Sequence, residues 1–397
     1  MKKIELLMPA GDLTKLKVAL LYGADAVFIG GKKFSLRAKA SNFTLDDIKA
    51  GVVFAHSLNK KVYVTVNIIP HYNDLTNIKD YLIALDEIGV DAIIVSSLYI
   101  IKLVKELNLS LQCHVSTQLS ATNSAYLDFY QELGCTRVVL ARECSIEEIK
   151  LIHEHNPLEL EVFIQGGLCS SISGKCTLSN YFVLRDANRG GCAHSCRWDY
   201  TLYDGNKIVN PLFPFKIASK DLMGINQISK LISIGVTSLK VEGRMKSINY
   251  IAMVAKAYRR AIDAYYSNKL SSELLIELSN ELRKVESRPL CEGFLNPNGI
   301  SFNDQIYLDE SKMVNQTYLG YVEEYDEQNK IAKIIRKNDI CLGQEVEIIA
   351  YDRDNFSYKI TTLKDENGDL TIANKTEFNL IINAPIPLKK YYLIRKK

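Results

Sequence analysis

The chain lacks the marks of a secreted, membrane-embedded or strongly polyanion-coating protein. Its 49 Lys and Arg are balanced by 46 Asp and Glu, for a net charge of +3. That permits a nucleic-acid partner but provides no basic arm. No apolar run is long enough to cross a bilayer. The strongest, AIIVSSLYIIKLV from Ala92, is too short and too interrupted. The opening MKKIELLMPAGD meets Pro9 and Asp12 too soon for a signal peptide and reads as a first strand. A cytoplasmic protein with no membrane association is expected. Tryptophan occurs once, as Trp198 beside Arg197. It has the chemistry to stack on a base, although a lone indole beside a loop more often shields it.

Several catalytic signatures are missing too. No Gly-x-Gly-x-x-Gly follows the first strand, which disfavours an open dinucleotide-binding sheet. No Gly-x-Ser-x-Gly elbow is present. His153-Glu154-His155 is not a zinc-protease motif, because the second His position is Pro157. His114 follows Cys113 only in sequence, which says nothing about a Cys–His pair in space. Cys-x3-Cys-x2-Cys is absent, and with it the arrangement for radical chemistry on adenosylmethionine.

What is present is a repeating unit. A helix ends in Gly, and a short polar step leads into an apolar strand: Tyr22-Gly23-Ala24-Asp25-Ala26-Val27, then Ile88-Gly89-Val90-Asp91-Ala92-Ile93. Looser copies start at Leu133-Gly134 and Ile234-Gly235. Glycine suits the left-handed position past a helix end. The candidate strands IELLM, AVFIG, VYVTVNII, AIIVSS, LQCHV, RVVLA, LEVFIQ and SLKVEG are continuous apolar runs, as in parallel strands buried on both faces. Helical stretches such as TLDDIKAGVVFAHSL and SIEEIKLIHEH alternate with them. The fold class expected is α/β, a (β/α)8 barrel over residues 1–270 with a Cys-rich insertion at 166–215 after the seventh strand. A helical or extended connector follows over 271–313. Short strands from residue 314 to 397 then predict a small C-terminal β-barrel.

The insertion carries Cys169, Cys176, Cys192 and Cys196, spaced Cys-x6-Cys-x15-Cys-x3-Cys. Cys113, Cys135, Cys144, Cys291 and Cys341 are scattered elsewhere. In a reducing compartment such a cluster binds metal more often than it forms disulfides. Four thiolates suit either tetrahedral Zn2+ or a [4Fe–4S] cluster. Only Cys192-x3-Cys196 has the knuckle spacing of a structural zinc site. The uneven spacing and neighbouring glycines favour the bulkier cluster, with zinc and no metal as the alternatives.

Active sites of such barrels sit at the C-terminal ends of the strands. The polar residues assigned there are Asn67, His71, Ser96, His114, Ser116, Gln118, Arg142, Glu143, Lys240, Glu242 and Arg244. Glu242, His114 and Arg142 are the candidate catalytic groups. Arg37, Lys240 and Arg244 are candidates for holding an anionic co-substrate, because guanidinium forks match carboxylates and phosphates. Structural salt bridges for the cations and a core role for His114 are the plain alternatives.

ELLMPAGDLTKLKVALLYGADAVFIGG, EVFIQGGLCSSISGKC, RGGCAHSCRWDY, SLKVEGRMKS and CEGF together resemble the peptidase U32 family, the collagenase-like proteases. The resemblance runs through nearly the whole chain. It implies a (β/α)8 barrel with a [4Fe–4S] cluster on Cys169, Cys176, Cys192 and Cys196. It further implies oxygen-independent hydroxylation, which in the tRNA-acting branch makes 5-hydroxyuridine at the wobble position with prephenate as apparent donor. The implied partners are a tRNA anticodon loop, a small dicarboxylate, and a second copy or a family paralogue. A U32-type peptidase and a non-catalytic RNA-binding protein are the rival readings. The basic tail (Lys389, Lys390, Arg395, Lys396, Lys397) is either a tRNA-backbone contact or a solvated C-terminus.

Overall fold

The computed structural model describes residues 3–36, 42–209, 214–301, 304, 317–374 and 379–397. The chain divides into two compact units, residues 1–313 and 314–397.

In the first unit the strands, in chain order, are β1 (Glu5–Pro9), β2 (Ala26–Gly30), β3 (Lys61–Val66), β4 (Ala92–Val95), β5 (Gln112–Val115), β6 (Arg137–Val139) and β7 (Glu159–Gly167). A hairpin of β8 (Tyr203–Asp204) and β9 (Lys207–Ile208) follows, then β10 (Asp221–Met223), β11 (Ser238–Val241) and β12 (Leu290–Cys291). Strands β1 to β7 pair in sequence order, and β11 closes the ring by pairing in parallel with both β7 and β1. Eight parallel strands with intervening helices form a closed barrel.

The helices begin where short side chains can satisfy the first backbone N–H groups. Thr44 with Asp47, and Ser145 with Glu148, form reciprocal capping boxes at Leu45–Ser57 and Ile146–His155. The repeated glycine step is also present: Gly23, Gly89, Gly134 and Gly235 all have positive φ. The helix Ile248–Tyr266 buries Tyr250, Ile251, Val254, Tyr258 and Ile262, covering the barrel beside β1.

Period-two alternation sends every second strand residue into the barrel. An apolar half of that interior is built by Leu7, Ala26, Phe28, Tyr63, Ala92 and Ile94. The other half is ionic. Arg137, 3% exposed, reaches Glu5 at 2.6 Å, Glu159 at 2.7 Å and Glu161 at 3.2 Å. Lys240 Nζ lies 2.5 Å from the fully buried Glu161. Glu5, Arg137, Glu159 and Ser238 each open their strand, so this network fills the barrel from its N-terminal end.

The second unit is an antiparallel half-barrel. Its central strand Tyr318–Asp326 pairs with Ile331–Arg336 on one side and Leu393–Lys396 on the other. Alternating burial along Ile331–Arg336 places Ala332, Ile334 and Arg336 inward. Leu319, Val322, Ile334, Ile348, Ile382 and Ile394 form its core. Among the described residues no helix is long and apolar enough to cross a membrane.

Candidate active site at the barrel mouth

The cysteine-bearing excursion leaves the barrel at Gly167 and returns at Asp221. These two residues are register partners, because β10 lies antiparallel on the top of β7. The junction is held by a buried ion pair: Arg288 Nε donates to Asp221 Oδ1 at 2.8 Å. Beyond it, the excursion rests on the mouth through Ser173. Glu143 Oε1 accepts the Ser173 backbone N–H at 2.6 Å, and its Oε2 accepts the hydroxyl at 3.0 Å. The Ser120 hydroxyl donates to the Ser173 carbonyl. Gly174 then takes φ +73°, and a Cβ there would fall 2.0 Å from the Gln118 carbonyl oxygen. Only glycine permits this close approach. Glu143 was assigned to the mouth from sequence; its role as the anchor of the cysteine segment was not legible, because Ser173 is remote in the chain.

All four cysteines of the excursion are free thiols at or near the surface. Burial, the largest influence, raises the proton affinity of Cys196; the Ser170 hydrogen bond and Arg197 oppose it, while Cys169 and Cys192 lie near enough to add to the rise. These three thiols therefore share one neighbourhood. The Cys176 carbonyl accepts from Asn188 Nδ2 at 3.2 Å, and the Cys196 carbonyl accepts from Ala218 N at 2.8 Å. Among the described residues, no three His, Cys, Asp or Glu side chains converge on a single-ion position. Four thiols carried on one excursion are a soft donor set whose chemistry suits an iron–sulfur cluster or a tetrahedral Zn2+.

The remaining candidates separate by height in the barrel. Glu242 and Arg142 meet at the mouth. Arg142 approaches Glu242 Oε2 at 3.4 Å, and its guanidinium lies 3.8 Å from the Phe163 ring centroid. Opposite Lys240 and Val241, β7 carries one extra residue, Ile164, between Phe163 and Gln165, and such a bulge bends the strand that holds it. The Glu242 carbonyl accepts from the Tyr250 phenol at 3.0 Å. Arg244, 4% exposed, donates to Ser35 Oγ at 2.9 Å, Thr65 Oγ1 at 3.0 Å and Asn42 Oδ1 at 2.8 Å. Its partners thus include three neutral oxygens beside β2 and β3.

Lys240 and His114 do not lie with them. Lys240 sits one layer below Glu242, with its ammonium on Glu161 and 4.6 Å from the Phe28 ring centroid. Its charge is committed inside the barrel, which corrects its assignment to an anion site. His114 is 1% exposed on β5, edge-on to Tyr63 at 4.7 Å. Burial, reinforced by Arg137, Lys240 and Lys61, holds its proton affinity well below the usual histidine range. His114 is therefore a neutral core residue below the mouth, and neither ring nitrogen has a partner among the described residues. Arg37 lies outside the described residues.

The other mouth residues make local bonds. Asn67 Oδ1 accepts from Leu36 N at 3.2 Å, and Ser96 Oγ donates to the Ile68 carbonyl at 3.2 Å. Ser116 caps the turn carrying Gln118. The His71 backbone N–H donates to Asp74 at 2.7 Å.

A closed (β/α)8 barrel whose mouth is overhung by a four-thiol excursion, joined to an antiparallel half-barrel, defines the class of protein. Peptidase family U32 matches residues 11–300, and the family's C-terminal domain matches residues 314–395. The chain belongs to peptidase family U32. It is 42% identical over 375 residues to tRNA hydroxylation protein P1 of Bacillus subtilis, covering 93% of this chain and 88% of that one. It is 32% identical over 444 residues to tRNA hydroxylation protein P of Escherichia coli, covering 99% and 96%. It is also similar to the 23S rRNA 5-hydroxycytidine C2501 synthase of Escherichia coli, at 38% identity over 66% of this chain and 40% of that one.

Proposed function

We propose that the protein is an RNA-modifying enzyme that hydroxylates C5 of a pyrimidine, and specifically the wobble uridine of tRNA. The observation that carries this reading is the 42% identity, over 93% of the chain, to a protein named for tRNA hydroxylation. The similarity to an rRNA 5-hydroxycytidine synthase supports the wider class, since both names describe hydroxylation of RNA. A base presented by a single-stranded loop can leave its stack and enter a barrel mouth at modest cost.

Replacing C5–H by C5–OH oxidises the base by two electrons, so a co-reactant must supply the oxygen and accept those electrons. Prephenate, a hydroxyl-bearing dicarboxylate, is the co-substrate in this reading: its C–OH bond would break, and its carbon would take up the hydrogen and two electrons that C5 gives up. Arg244 and Arg142 would bind its carboxylates, with Glu242 orienting Arg142. Cys169, Cys176, Cys192 and Cys196 would hold a [4Fe–4S] cluster, which supplies electron-transfer chemistry beside the mouth. The peptidase reading has less support, because neither a serine elbow nor a zinc-protease helix is present.

The test is mass spectrometry of tRNA nucleosides from a deletion strain complemented with wild type or Cys192→Ala. Wobble 5-hydroxyuridine should disappear on deletion, return with wild type and stay absent with the variant. Unaltered nucleosides in the deletion strain would refute the reading. Anaerobically purified protein should show broad absorbance near ~400 nm that Cys192→Ala loses.

A further inference from the structure

The excursion carries a second feature that thiol chemistry does not require. Directly after Cys176, the short helix Leu178–Val183 presents Tyr181, 81% exposed, and Phe182, 43% exposed. The helix ends at Leu184, which adopts a left-handed conformation at φ 53° and is 93% exposed. A branched apolar residue held there gains neither backbone ease nor burial. Trp198, 40% exposed, stands two residues beyond Cys196. Phe182 links these rings, with its centroid 5.1 Å from Tyr181, 6.0 Å from Trp198 and 5.9 Å from Tyr200. The Tyr200 hydroxyl in turn donates to the carbonyl of Ser195, the residue before Cys196, at 2.7 Å, so the aromatic cluster adjoins the thiol segment.

The exposed cation beside this cluster is Arg197, the residue preceding Trp198. Around it charge is otherwise balanced: Arg288 pairs with Asp221, Asp199 pairs with Lys216 at 2.8 Å, and Lys246 Nζ donates to the Glu286 carbonyl at 2.8 Å. Exposed rings interleaved with cations are the arrangement that holds unpaired nucleotides: each ring accepts a base face while the cations meet the phosphates. A protein partner would bury the same rings but would draw nothing from the adjacent cation unless it were acidic.

We infer that Tyr181, Phe182, Leu184 and Trp198 form a stacking platform for unpaired bases that flank the target nucleotide, with Arg197 on the phosphate backbone. The inference rests on the RNA-hydroxylase reading and adds the surface by which the loop is held. Because the platform grows from the same excursion as the four cysteines, holding the flanking bases also places the target at the mouth.

The full-length protein provides its own probe, since Trp198 is the single tryptophan. Titration with an unmodified anticodon stem-loop RNA bearing a wobble uridine should quench Trp198 emission saturably. A blunt RNA duplex of equal charge should not. Tyr181→Ala and Leu184→Ser should each weaken stem-loop binding at least about fivefold, within the range for a lost base–aromatic or apolar stack. Their thermal midpoints should stay unchanged, because both side chains are exposed. Unchanged affinity in both variants, equal quenching by duplex, or a signal produced only by a protein ligand would overturn the platform. The hydroxylase reading is judged separately by wobble 5-hydroxyuridine in the deletion strain. Its loss on deletion, with unaffected binding in the variants, sinks the platform alone.

Discussion

Replacing Lys240 by Met separates two roles that its place in the sequence leaves open. Methionine keeps an unbranched chain against Phe28 and Phe163, whose ring centroids lie 4.6 and 5.5 Å from the ammonium, and removes only the charge. The residue left behind is Glu161, fully buried and then held by Arg137 alone at 3.2 Å. Breaking a buried pair from one side costs about 3–5 kcal/mol, and the surviving guanidinium puts this case near the lower end, about 3 kcal/mol. With a urea m-value of about 3 kcal/mol/M for a unit of this size, the unfolding midpoint should fall by about 1 M. The double variant Lys240→Met/Glu161→Gln should recover much of that loss, because no buried charge is then abandoned. Urea titration followed by circular dichroism and Trp198 emission gives the stability, and the KM for the proposed dicarboxylate co-substrate gives the binding. A stability loss below about 1 kcal/mol together with a raised KM would refute the reasoning and return Lys240 to the mouth.

Three further outcomes follow from the same geometry. His114 has a lowered proton affinity in the folded barrel, so below about pH 6.5 the unfolded chain takes up a proton that the folded chain does not, and stability falls by up to about 1.4 kcal/mol per pH unit. The His114→Leu variant should lose that component of the acid slope in urea titrations at stepped pH, and an unchanged slope would show that the ring is solvated. Gly174→Ala should free the cysteine segment from Gln118 at a local cost of about 1–3 kcal/mol, which under the proposed iron–sulfur reading reduces iron retained on purification while leaving barrel unfolding unchanged. Retention equal to wild type would contradict this. Glu242→Gln keeps the shape but weakens the hold on Arg142, so kcat/KM should fall about 10-fold or more with unchanged stability. An activity equal to wild type would remove the pair from the reaction.

The barrel was legible because its signals are local. Glycine steps at Gly23, Gly89, Gly134 and Gly235 and capping pairs such as Thr44 with Asp47 announce helix ends within a few residues. The hairpin of Tyr203–Asp204 with Lys207–Ile208 is equally local, turning on Gly205 and Asn206. The site was only partly legible. Alternation along SLKVEG shows that Lys240 and Glu242 face inward, but not that one lies a layer below the other. That depth depends on strand stagger around the whole ring, a property of eight strands together. The partners that decide the fate of Lys240, namely Glu161 and Arg137, lie far from it in sequence and carry no motif. His114 looked like a strand-end base for the same reason.

The antiparallel seam between β7 and β10 has a consequence for the order in which the molecule matures. The chain leaves and re-enters the barrel at paired residues, Gly167 and Asp221, so strand closure between β7 and β11 asks nothing of what lies between them. The scaffold can therefore close before the excursion is in place. Under the iron–sulfur reading proposed above, loading would be a late event on a finished shell, and failure to load would leave a folded, inactive protein.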